Sequence, residues 1–196
     1  MNSSRENAKN ETQRSDYSGW AGRKAAPKER FLDKLGERLV FERAAVRLYE
    51  SLLAKYDRDT DKESLPPIEL LRQFHREEQA HREMLSKVIR KSGGDPEVIT
   101  PSANIELVAN HGWALVMQDP RTTFEECLHI IQLLELADGD GWELLIELAE
   151  ASGMNEFIEE FRSACAQEEN HLVNVKNWSR ATIERKFIEE NDQHRH

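Results

Sequence analysis

The chain is short of everything that interrupts a helix. Nine glycines and six prolines are spread over 196 residues, and most of them cluster. Between the clusters Leu, Ala, Glu, Lys and Arg dominate, which is the composition of an all-helical protein. Cysteine is scarcer still: two residues fit a reducing compartment rather than a disulfide framework. A basic surplus is also missing. Lys and Arg number 27 against 37 Asp and Glu, a formal net charge of −10, which argues against nucleic acid or an anionic membrane surface as partner. No apolar run reaches the roughly 18 residues of a membrane span. Met1 to Lys28 has no apolar stretch of the kind a secretory signal needs. The expectation is a single cytoplasmic domain with neither a nucleic-acid nor a membrane partner.

Residues 1–28 are polar and read as a disordered arm in which Tyr17 and Trp20 are the only large side chains to bury. Residues 29–187 carry helical periodicity, and 188–196 read as a polar tail that includes His194 and His196. The first helix is predicted over Glu29–Tyr56, with Leu35, Leu39, Glu42, Val46, Tyr49 and Leu53 on one face. A charged turn ending at Pro66 and Pro67 leads to a second helix over Ile68–Lys91. There Leu71, Phe74, Glu78, His81, Leu85 and Val88 form one stripe, opposite a fully polar one. Gly93, Gly94 and Pro96 stop it. A long connection follows, with a short helix predicted over Ile105–Met117. A third long helix is predicted over Arg121–Ala151, with Asp119 as its N-cap, and a fourth from Met154 to Lys186.

Two segments place Glu-x-x-His on an otherwise apolar helical face: Glu78 with His81, and Glu168 with His171. The other two long helices each carry one acid centred on such a face, Glu42 and Glu135. Residues three apart lie side by side on a helix, so a carboxylate and an imidazole at this spacing can share one metal while the second oxygen reaches another. A third pair, Glu126 with His129, is about half a turn out of phase with Glu135 and is expected off the site. Glu37 and Glu50 are outward by phase, and of the neighbours Glu77 and Glu78 only Glu78 has a His three residues on.

Height along the helices gives a second test. Counted from the first turn, Glu42 lies fifteen residues before Asp57 and His81 fourteen after Pro67. Counted from the second, Glu135 lies eighteen before Gly153, and Glu168 and His171 fifteen and eighteen after it. At about 1.5 Å per residue, antiparallel neighbours bring all six to within about one helical turn. Ionised carboxylates in such a core cost several kcal/mol each unless paired or metal-bound, and two divalent ions balance four of them.

The order Glu42, Glu78-x-x-His81, long crossover, Glu135, Glu168-x-x-His171 resembles the ferritin-like di-iron or di-manganese carboxylate proteins over residues 29–187. The resemblance implies an all-α four-helix bundle, two antiparallel pairs joined by one long crossover. It implies two metal ions, iron in preference to manganese, held by Glu42, Glu78, His81, Glu135, Glu168 and His171. The implied substrate is dioxygen or peroxide, in iron oxidation or oxidative-stress protection. A di-manganese catalase-like enzyme and a metal-containing, non-catalytic interaction bundle are the alternatives. The absence of Cys-x-x-Cys pairs excludes a rubredoxin-like second domain, so any electron donor is a separate protein. All six ligands lie on one chain, so a homodimer is allowed but not required.

Around these six, Tyr49 follows Glu42 by seven residues, as in ferritins, and is a candidate redox or hydrogen-bonding partner. Asp138 is a candidate hydrogen-bond acceptor for His81 or His171, with direct ligation in place of Glu135 as the alternative. Gly139 and Gly141 predict a π-bulge or kink beside the site, or else a close approach. Cys127 and Cys165 fall about 16 Å apart along the axis and form no disulfide.

Overall fold

The computed structural model describes residues 26–61, 63 and 65–193, with side chains to 188. Tyr17, Trp20, His194, His196 and nearly all of the predicted arm lie outside these residues. The described chain is all-helical, with five α-helices and no strand. They are α1 (Pro27–Arg58), α2 (Ile68–Lys91), α3 (Pro101–Gln118), α4 (Phe124–Ser152) and α5 (Ile158–Gln193), the last preceded by a 3-10 turn, Asn155–Phe157. No described helix is long and apolar enough to cross a membrane.

α1 packs along α2, α3 and α4; α4 packs along α5, and α2 meets α5 more sparsely. The α1–α2 and α4–α5 pairs are each joined by a short connection, so their members run antiparallel. Gly153 closes α4 at φ 73°, a left-handed conformation that costs glycine nothing, and there the Met154 N–H donates back to the Ala149 carbonyl. Gly93, at φ 80°, does the same after α2.

The starts of α3 and α4 and the middle of α4 differ from the sequence expectation, each for a local reason; α5 also begins at Ile158 rather than Met154 and runs to Gln193 rather than Lys186, into the expected polar tail. α3 begins at Pro101, four residues early, because the Thr100 hydroxyl caps it by accepting from the Ala103 N–H. α4 begins at Phe124 rather than Arg121. Its cap is Thr123, reciprocally paired with Glu126, and Asp119 instead ends α3 and binds Arg121. That capping role is also what occupies Glu126, the pair member expected off the site. Third, α4 stays a regular α-helix through Gly139 and Gly141, so no π-bulge forms.

The crossover helix α3 is fixed to α1 at both ends. Ser102 donates from N–H and hydroxyl to Asp33 at 3.0 and 2.7 Å, and Lys55 Nζ donates to the Asp119 and Thr122 carbonyls, both at 2.6 Å. A Cβ on Gly36 would meet the Thr100 side chain at 2.9 Å, so glycine is what lets the two helices approach there.

The apolar core falls into two clusters. One contains Tyr49, Leu52, Leu71, Phe74, Leu128, Ile131 and Val175; the other contains Phe31, Leu35, Leu39, Leu85, Trp142, Leu145 and Phe161. On every long helix the polar residues of interest lie between these sets in sequence. They therefore form a polar layer closed above and below by packed hydrocarbon. Cys127 and Cys165 are both free thiols, as expected.

Candidate metal centre

All six predicted ligand residues are buried: Glu42, Glu78, Glu135, Glu168 and His171 are at most 1 % exposed, and His81 is 3 % exposed. Glu37 and Glu50 are solvated at 30 % and 56 %, which confirms the phase assigned to α1. The structure gathers the six into two overlapping sets whose ligand atoms lie within 4.8 Å of one another. One is Glu42, Glu78, His81 and Glu168; the other is Glu78, Glu135, Glu168 and His171. Glu78 and Glu168 belong to both.

Glu168 spans the two sets. Its Oε1 lies 2.7 Å from His81 Nδ1 and its Oε2 2.9 Å from His171 Nδ1. His171 Nδ1 also lies 3.3 Å from Glu78 Oε1 and 3.6 Å from Glu135 Oε2, and His81 Nδ1 lies 3.8 Å from Glu42 Oε2. These atoms are close but are not angled for hydrogen bonding. Seven carboxylate oxygens, from Glu42, Glu78, Glu135, Asp138 and Glu168, and both Nδ1 atoms are buried without a hydrogen-bond partner. A buried polar atom left unpaired costs about 1–3 kcal/mol, more when charged. Lone pairs converging on common points are the arrangement a cation relieves, so these groups could hold metal ions.

The outward ring nitrogens are engaged. His171 Nε2 meets Glu77 Oε2 at 2.7 Å, and His81 Nε2 meets Gln167 Oε1 at 2.8 Å. Carboxylate and amide oxygens accept, so each Nε2 carries the proton and each Nδ1 turns its lone pair inward. The pattern is reciprocal: the residue before each motif's Glu orients the histidine of the other motif. Sequence reasoning missed both, although the repeated string of a polar residue followed by Glu-x-x-His was its visible signal.

Asp138 does not serve either histidine, contrary to expectation. It is fully buried and pairs with Arg38, whose Nε and Nη2 also donate to Glu42 Oε1 at 2.9 and 2.7 Å. Three residues beyond Glu135 on α4, Asp138 faces α1, while the Nε2 atoms point away from the cluster towards Glu77 and Gln167. Asp138 is in neither four-residue set. Arg38 was not anticipated either; its spacing of four before Glu42 on the inward face of α1 was the available sign. The guanidinium also lies over the Phe41 ring, 4.2 Å from its centre. Gly141 makes room for it, since a Cβ there would collide with Arg38 Nη1. Of the two roles expected for the glycine pair, close approach is found at Gly141 alone; a Cβ on Gly139 would meet nothing within 4 Å.

Tyr49 is fully buried on α1, and its hydroxyl donates to Glu135 Oε1 at 2.5 Å. Burial and the Glu135 charge raise its pKa well above that of a free phenol, so it stays a donor. Electrostatics report how strongly the layer demands positive charge. Burial pushes Glu78 up to about 8, with Glu168 adding to it, and Glu135 up to about 7. Glu42 and Asp138 are raised chiefly by burial, against the pull of Arg38. Burial would lower His81, yet Glu168 and Glu42 outweigh it and raise the ring to about 10. His171 rises further, since Glu135 and Glu168 overcome its burial. Glu168, flanked by both rings, is drawn below the usual carboxylate range despite its burial.

Five buried carboxylates face one buried guanidinium, which leaves four negative charges with neutral histidines. Without metal, protons must supply the difference. No family model, curated protein or solved structure matches the chain.

Proposed function

We propose that α1, α2, α4 and α5 form a ferritin-like four-helix bundle that holds two metal ions, iron in preference to manganese, and that the loaded protein reacts with dioxygen or peroxide. The observation that carries this reading is Glu168, with one oxygen turned to each histidine and membership of both four-residue sets. Glu42 and His81 would hold one ion and Glu135 and His171 the other, with Glu78 and Glu168 between them. Oxygen and nitrogen donors without thiolate suit iron or manganese rather than a structural zinc. Two divalent cations balance the residual charge of −4.

When bound as Fe(II), the pair supplies the electrons that dioxygen or peroxide reduction requires. The chain's own residues do the rest. Glu77 and Gln167 fix the imidazole tautomers, Tyr49 holds Glu135, and Arg38 pairs with both Glu42 and Asp138 and offsets one of their two charges. The two apolar clusters keep bulk water from the layer.

Anomalous scattering across the iron and manganese edges, on crystals of protein grown with both metals supplied, tests the centre. Two peaks per chain between the four helices at the iron edge are expected. Peaks at the manganese edge alone would move the reading to a catalase-like enzyme, and one peak or none would refute the pair. Oxygen uptake by Fe(II)-loaded protein, measured with an electrode, tests the chemistry. Full metal occupancy without uptake of oxygen or turnover of peroxide would refute that part.

A further inference from the structure

The crossover helix α3 is the least charged helix of the chain. Asp, Glu, Lys and Arg make up 33 % of the whole sequence, yet Glu106 is the single one among the 18 residues of α3. Ala103, Asn110 and Met117 form the buried line of α3, on the side that packs along α1. The opposite line reads Ile105, Val108, Gly112 and Leu115. Its three aliphatic side chains are 71, 70 and 60 % exposed, and a Cβ on Gly112 would meet nothing within 4 Å. Ala109 and Val116 flank this line and are exposed as well. A contiguous apolar face without a charge, on a chain of net charge −10, marks a contact surface.

We propose that a second copy of this chain docks here, α3 against α3 in antiparallel order about a two-fold axis. Register, charge and area choose this occupant. Steps of three, four and three residues are the spacing of a two-helix seam. The same steps read identically backwards. A two-fold axis level with Asn110 therefore sets Ile105 against Leu115 of the second copy and Val108 against its Gly112, both at once. One patch then meets itself, as an isologous contact requires, and Gly112 leaves room for the branched Val108. Two chains of net charge −10 repel each other, so they can meet closely only where the facing surfaces are uncharged, as this line is. Over two copies, the exposed surface of these six residues, with Leu144 at the neighbouring edge of α4, is on the order of the 1,000 Å² that a specific interface needs. A bilayer is the competing apolar partner, but a helix lying on an anionic membrane keeps Lys or Arg on its polar face, and α3 has neither. The contact uses no residue of the carboxylate layer and does not depend on metal.

Sedimentation velocity of the full chain, from about 1 to about 200 μM, tests this. A species of twice the chain mass is expected, with a dissociation constant at or below about 10 μM. Val108→Glu puts a charge at the centre of the contact and should weaken association at least about a hundredfold. Because Val108 is 70 % exposed, helicity by circular dichroism and metal content per chain should not change. Ile105→Glu and Leu115→Lys test the register. Each variant alone should be monomeric at about 20 μM. Mixed, they should associate, because antiparallel order sets the new acid of one chain opposite the new amine of the other, which parallel order does not. A wild-type chain monomeric at the highest concentration, a dimer indifferent to Val108→Glu, or a mixture that stays monomeric would overturn the proposal. So would a monomer that floats with phosphatidylcholine vesicles, which would give this face to a bilayer instead.

Discussion

Arg38 offers the sharpest test of the charge count at the centre. It is 5 % exposed and hydrogen-bonded to Glu42, and it pairs with Asp138. Arg38→Met keeps the hydrocarbon stem against Phe41 and Trp142 but removes its guanidinium from the layer, taking the residual charge from −4 to −5. Breaking a buried pair from one side costs about 3–5 kcal/mol, because the abandoned charge stays buried. For a domain of this size that lowers Tm by roughly 10 °C. The second variant, Arg38→Met with Asp138→Leu, removes a charge from each side and returns the layer to −4, the value two divalent ions balance. Replacing a buried ion pair by apolar groups is often neutral, so most of the lost stability should return, with two metals still bound per chain. Thermal unfolding read by circular dichroism, beside metal content by plasma emission, measures both quantities. A single substitution costing under about 1 kcal/mol, or a double variant less stable than the single, would refute the reasoning.

The shared carboxylates predict unequal losses. Glu168→Ala or Glu78→Ala should empty both metal positions, whereas Glu42→Ala or Glu135→Ala should retain one, as counted by equilibrium dialysis; equal losses from all four would contradict the sharing. Glu77→Leu and Gln167→Leu, which free the outward ring nitrogens, should each weaken metal affinity about 10–100-fold in competition titrations with a chelator, and no change would deny the orienting role. The metal-free protein should lose stability as pH rises. Glu78, folded near 8 against an ordinary 4.5, and His81, near 10 against 6.5, both bind protons more tightly when folded. Their contributions are therefore full below about pH 4.5 and 6.5 and are lost as pH rises through 8 and 10. Chelator-treated protein should accordingly show a falling Tm between pH 6 and 9, which metal saturation abolishes by replacing those protons; a rising apo profile would contradict the assignment. Tyr49→Phe leaves Glu135 Oε1 without its donor and should cost about 1–2 kcal/mol in urea unfolding, and an unchanged midpoint would show that hydrogen bond to be idle.

The amino-acid sequence alone determined the helices and the inward position of six ligand-type residues. Both follow from one physical fact, that a helix repeats every 3.6 residues, so periodicity reports which face a residue occupies. α2 is the clearest case: its boundaries were legible to the residue, because Pro67, the Gly93–Gly94 stop and a fully polar outer stripe all agree. Where two caps competed, at Asp119 and Thr123, the reciprocal pair of Thr123 with Glu126 prevailed, and the reading erred by three residues. Tertiary structure decided everything that depends on which groups meet across helices. Asp138 and Arg38 are a hundred residues apart, and no local pattern distinguishes an acid that meets a histidine from one that meets a guanidinium. Glu77 and Gln167 each orient a histidine on the opposite helix. Which line of the weakly charged α3 faces outward was decided by its packing along α1. Periodicity fixes a direction from one helix axis, whereas a contact depends on the distance and rotation between two, and those are set by packing.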